Sequence, residues 1–210
     1  MSRPSRIRIA HTHPPIVPDL VVLDTCVLMH TLSRNLILRL GQAQLCQPIW
    51  GDYIGAEWLR NAPRIWKVEP EVVEQEWQMM QTMFPSANMG VVTEFESHIK
   101  HSDTKDWHVL ACALAAQDRY PNQHCAVITW NIKDFNRGEL RRFNILLYTP
   151  DQLFSLLWPK HETLFLSLFE QALIDHVNIG RELEPITELF KRDRLFRLSR
   201  LYQTHLANSI

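Results

Sequence analysis

The chain has 210 residues, 46% hydrophobic and 21% charged, which provides for one full domain with an appendage and argues against bulk disorder. Its formal net charge of −1 excludes binding to polyanions through bulk charge, so any nucleic-acid contact has to come from local basic patches. The four cysteines (Cys26, Cys46, Cys112, Cys125) form no C-x-x-C pair, which speaks for reduced thiols in a cytoplasmic protein rather than a disulfide framework or zinc knuckle.

Residues 1–19 hold four prolines and three arginines and lack an apolar h-region, which predicts an extended arm and not a secretory signal. No apolar stretch approaches the length of a membrane span. The run Val21–Leu23 predicts a strand over residues 20–25. Ser33 is expected to cap a helix running to about Ala43. A second helix is expected from Asp52 to Asn61, stopped by Pro63. Pro70 opens a third, with Val73, Trp77 and Met80 at helical spacing.

"NMGVV" predicts a turn and a short strand. "SDTKDWHVLACALAAQD" predicts a helix capped by Asp103 or Thr104, with Val109, Leu110, Ala113 and Leu114 as its apolar stripe. "HCAVITWN" and "NILLYT" read as buried strands, and Thr149 and Pro150 start a further helix. From about His161 helical periods continue without strands, which places a boundary near residues 156–160. The expected organisation is an arm (1–19), a domain (20–157) of α/β class with a mainly parallel sheet, and a helical extension (158–210).

In such a sheet, ligands collect beyond the carboxyl ends of the strands. Asp24 closes the first strand, Asn131 and Asp134 follow a later one, Asp103 and Asp106 open the long helix, and Glu57 lies on a helix face. Carboxylates gathered at one edge repel unless a cation neutralises them. Oxygen-only donors suit Mg²⁺ or Mn²⁺, which can activate a water for in-line attack on a phosphodiester.

"VVLDTCVL", "GAEWLRN", "SDTKDWHVLACAL" and "VITWNIKDF", in that order, resemble the PIN-domain nucleases, in particular the VapC-like toxins of bacterial toxin–antitoxin pairs, over about residues 20–155. The resemblance implies a three-layer α/β/α sandwich and a Mg²⁺- or Mn²⁺-dependent endoribonuclease, with an RNA substrate, a cognate antitoxin and a homodimer as partners. It implies catalytic roles for Asp24, Glu57, Asp106 and Asp134. It implies metal ligation by Asp24, Asp106 and Asp134, with Asp103 in a secondary place and Thr129 and Asn131 as supporting polar residues. Two departures stand out: Cys26 replaces the asparagine of many relatives, and the tail beyond residue 160 exceeds the compact toxin length.

Competing classes are constrained by single residues. An aspartyl phosphatase needs a second acid two positions after Asp24, where Cys26 stands. A P-loop NTPase needs G-x-x-x-x-G-K-[ST], which the chain lacks. A PIN-like module that binds RNA or protein without cutting is the alternative function. In the tail, the stripes around Leu164–Leu173 and Ile186–Phe190, followed by "KRDRLFRLSR", predict a docking surface for an antitoxin or a second copy.

Overall fold

The computed structural model describes residues 15–178 and 181–209; of the expected arm, residues 1–14 lie outside the described residues. The chain is α/β, built on an all-parallel sheet of β1 (Leu20–Leu23), β2 (Gln47–Ile49), β3 (Cys125–Ile128) and β4 (Leu146–Tyr148) in the order β2-β1-β3-β4. β1 and β3 pair in register from Leu20↔Cys125 to Leu23↔Ile128, and every residue of both is buried. Continuous apolar runs are what strands covered on both faces require.

β2 is the strand that periodicity passes over. Pro48 sits inside it, opposite Val21. A proline has no N–H for the ladder, and β2 tolerates it as an edge strand. The expected strand in "NMGVV" reduces to a single bridge between Trp50 and Asn88, with Gly90 making the turn at φ +73°.

The helices are α1 (Thr25–Leu28), α2 (Thr31–Gln42), α3 (Asp52–Trp66), α4 (Pro70–Met83), α5 (Trp107–Arg119), α6 (Arg137–Arg142), α7 (Pro150–Asn178), α8 (Ile186–Arg192) and α9 (Phe196–Asn208). α5 packs against β1 and β3, α2 against β2, and α7 against β4. Among the described residues, no helix is long and apolar enough to cross a membrane.

Two helix boundaries differ from expectation. α3 continues through Pro63 to Trp66 and closes on Lys67 in the left-handed conformation, where Val68 N–H donates to the Pro63 carbonyl. Tertiary packing outweighs the missing proline donor. The Trp66 indole donates to the Met29 carbonyl at 3.2 Å, and the buried Arg34 guanidinium lies 5.2 and 5.0 Å from the Trp58 and Trp66 ring centroids. Ser33 lies inside α2 and does not cap it. Its N–H and hydroxyl donate to the Asp193 carboxylate at 2.8 and 2.9 Å, so a residue of the tail supplies the cap that His30, at the N-cap position, does not.

Asp151, in the first turn of α7, caps in the other direction, accepting from the N–H groups of Arg197 and Leu198 at the start of α9. α7, α8 and α9 also share an aromatic cluster. Trp158 meets Phe165 and Phe169, and Phe169 meets Phe190 at 4.8 Å and Tyr202 at 5.6 Å. α7 passes Pro159 and leaves helical dihedrals at His161 (φ −134°, ψ 27°) on its way into this cluster.

Candidate metal centre

The pairing of Leu23 with Ile128 makes β1 and β3 end side by side, so Asp24 and Thr129 emerge as neighbours at the carboxyl edge. Asp24 N–H donates to the Ile128 carbonyl, and Thr129 Oγ1 donates to Asp24 Oδ2 at 2.5 Å. Asp24 Oδ1 accepts from Cys26 N at 3.3 Å, so this aspartate also caps α1. Cys26 bonds to the same carboxylate through its side chain. Its thiol donates to Asp24 Oδ2 at 3.2 Å, and its sulfur accepts the Trp130 N–H at 3.3 Å. Burial, then the Asp24 charge, pushes this thiol up to about 12, so it stays an S–H donor.

The second limb of the site precedes α5. Asp103 accepts from Lys105 N at 3.2 Å and starts a 3-10 turn, Thr104–Asp106, in which residues three apart share one side. That turn sets Asp103 and Asp106 together. A third limb follows β3, where Asp134 N–H donates to the Asn131 carbonyl and Asp103 N–H donates to the Asp134 carbonyl at 2.8 Å. Asn131 is exposed and acts through its backbone, its N–H donating to Thr129 Oγ1 at 2.9 Å.

These limbs bring one carboxylate oxygen each of Asp103, Asp106 and Asp134 within 4.8 Å of one another. Asp106 is buried and its Oδ2 has no hydrogen-bond partner among the described residues. Burial, then the charges of Asp24, Asp134 and Asp103, raises its carboxyl to about 6, against the opposing pull of Lys105. Asp24, 4% exposed, thus lies within electrostatic reach of Asp106 although it is outside the three-acid group. The Lys105 ammonium bridges Asp134 at 3.1 Å and Asp103 at 3.5 Å.

Glu57 is placed differently. Its Oε2 accepts from Thr25 Oγ1 at 2.7 Å and faces His108 Nε2 at 3.5 Å. His108 and then Thr25 hold this carboxyl below its usual range against its partial burial. At 3.5 Å the imidazole faces the carboxylate without a formed hydrogen bond, and its Nε2 has no partner among the described residues. Glu57 therefore reaches the Asp24 turn through Thr25 and not through the three-acid group.

Sequence reasoning missed the residue that ties the limbs together. Glu139, buried in the first turn of α6, accepts from the N–H groups of Lys100, His101 and Ser102 and from Ser102 Oγ at 2.7 Å. Ser102 Oγ in turn accepts from Asn136 N at 3.0 Å. Burial raises the Glu139 carboxyl, but these donors outweigh it and leave the group below its ordinary value. In "RGELRR" it reads as a solvated helix charge, because its partners are backbone amides and carry no side-chain signature.

An oxygen-only donor set with one buried, unpartnered carboxylate oxygen fits a hard divalent cation. A cavity of about 830 Å³ between α2, α4 and α7 contains none of these acids. Its Arg34 and Arg39 are already paired with Glu76 and Asp175. No protein-family model, curated protein or solved structure matches the chain, and the site stands on its own geometry.

Proposed function

We propose that the chain is a PIN-like, divalent-cation-dependent endoribonuclease with the three-layer arrangement of that fold, acting as the toxin of a toxin–antitoxin pair. The observation that carries the reading is Asp106: buried, lacking a partner at Oδ2 among the described residues, and surrounded by Asp24, Asp103 and Asp134 at the carboxyl edge of a parallel sheet. Carboxylates this close raise the cost of ionising one another, and a divalent cation offsets that cost.

In this reading Asp106, Asp134 and Asp24 hold Mg²⁺ or Mn²⁺, and Asp103 supports them from the rim. When bound, the ion supplies Lewis acidity toward a water and toward the charge on the scissile phosphate. Thr129 and Cys26 donate to Asp24 Oδ2 and fix its orientation. Glu57, ionised and tied to Thr25, takes the fourth acid's place beside the Asp24 turn.

Purified protein incubated with single-stranded RNA is expected to cut it with Mn²⁺ and to stop with EDTA. Expression alone is expected to arrest bacterial growth, and Asp134→Ala to release it. RNA left intact under both ion conditions overturns the nuclease reading. A second reading, a PIN-like RNA- or protein-binding module, is favoured by Lys105, whose ammonium already neutralises Asp103 and Asp134. Mn²⁺ titration separates the two, since the module binds none.

A further inference from the structure

Beside the acids two segments are rich in cations, although the formal net charge is −1 and the preceding turn, Thr93–His98, carries Glu94 and Glu96. Within residues 97–105 and 131–142, every acidic residue is either in the three-acid group or is Glu139, which is buried under backbone donors. The remaining charges are the exposed cations Lys100, Lys105, Lys133, Arg137, Arg141 and Arg142. Glu139 draws the two segments together, holding the amides of Lys100 and His101 against α6. Arg142 fixes the same junction from outside, donating to the His98 carbonyl at 3.3 Å and lying 4.9 Å from the Phe143 ring centroid. A shallow cavity lined by His101, Asn136, Gly138, Glu139 and Arg142 opens at this junction.

From that arrangement we infer that α6 and the 98–105 loop form a phosphate-tracking face that seats single-stranded RNA and leads it to the acids. The inference rests on the nuclease reading and names the path its substrate takes. Two features select this occupant. Guanidinium and ammonium groups on an exposed strip match a run of phosphates, whereas base readout needs partners deeper than this face offers. The strip is also continuous with the acid group, because Lys105 touches Asp134 and Asp103 N–H is bonded to the Asp134 carbonyl. Lys105 thus stands where the strip meets the ion site. A phosphate diester arriving there exchanges a carboxylate-paired ammonium for one paired with its own oxygens.

The test uses the full chain and a fluorescent single-stranded oligouridylate, with EDTA present so that no cleavage occurs. Arg137→Gln with Arg141→Gln removes two exposed arginines and leaves Arg142 and the Glu139 bonds in place. This pair is expected to weaken binding about tenfold and to reduce the salt dependence by about 0.7 in slope per lost contact. Arg197→Gln with Arg200→Gln on α9, the same change of charge at a remote surface, is expected to leave both near wild type. Mn²⁺ affinity, read by titration, is expected to be the same in all three proteins. Equal loss in both double variants, an unchanged salt slope, or no binding by the wild type overturns the proposal. Loss of Mn²⁺ binding by the wild type instead overturns the ion reading, even where the oligonucleotide binds.

Discussion

Asp106 bears the largest electrostatic load in the site, and its ion-free behaviour follows from that. With its carboxyl raised to about 6, the folded chain binds this proton more tightly than the unfolded chain. Stability without metal therefore falls as pH rises from about 4 through 6 and levels off above. Asp106→Asn keeps the volume and removes the charge. It is expected to abolish Mn²⁺-dependent cleavage and to melt higher than wild type in EDTA at pH 7, with a flatter pH profile between 4 and 6. Thermal melts in EDTA across that range check it, and an equal or lower melting temperature at pH 7 counts against the acid cluster. The acids Asp24, Asp103, Asp106 and Asp134 were legible because each stands at a visible junction of strand, loop and helix. Cys26 was legible as a departure but not as a donor, since its thiol bond to Asp24 depends on the turn of α1.

At the level of elements, α6 joins the two acid-bearing loops through one side chain. Replacing the Glu139 carboxylate by an amide puts an NH₂ group against backbone donors that now share two oxygens. Glu139→Gln is expected to cost about 1–3 kcal/mol by urea denaturation. It is also expected to speed amide hydrogen exchange at residues 100–102. The pH dependence has the opposite sign to that of Asp106. This carboxyl lies below its ordinary value when folded, so its contribution is present above about pH 4.3 and is lost as the pH falls further. The variant should show less of that acid loss, and matching acid melts of variant and wild type would remove Glu139 from this role. Most elements could be read from periodicity, and two of the departures share a cause. β2 was hidden by Pro48, which only an edge position allows, and the end of α3 by Pro63, which the packing of Trp66 and Arg34 overrides. Both depend on neighbours distant in sequence.

For the molecule as a whole, the tail and the sheet-bearing part exchange caps, with Asp193 closing α2 and Asp151 closing α9. Asp193→Ala strips the Ser33 N–H and hydroxyl of their acceptor in a buried place. It is expected to destabilise the chain by about 1–2 kcal/mol, the range of a lost helix cap. Chemical denaturation measures the loss. The site of weakening is then expected at the start of α2 by hydrogen exchange, and protection there equal to wild type would show that the cap is dispensable. No local pattern announces this exchange: Asp193 lies in a stretch read as basic, and Ser33 reads as an N-cap in its own right.

The Asp193 bond spans 160 positions of the chain, which turns a static contact into a matter of timing. At ribosomal speeds of about 5–20 residues per second, roughly 8–30 s separate the synthesis of Ser33 from that of its acceptor. By its end all four strands and the acids between them have been made, but until then the first turn of α2 lacks its acceptor. The finished chain therefore closes only as its last helices leave the ribosome, and a chain released early carries every acid of the candidate site on an unfinished scaffold.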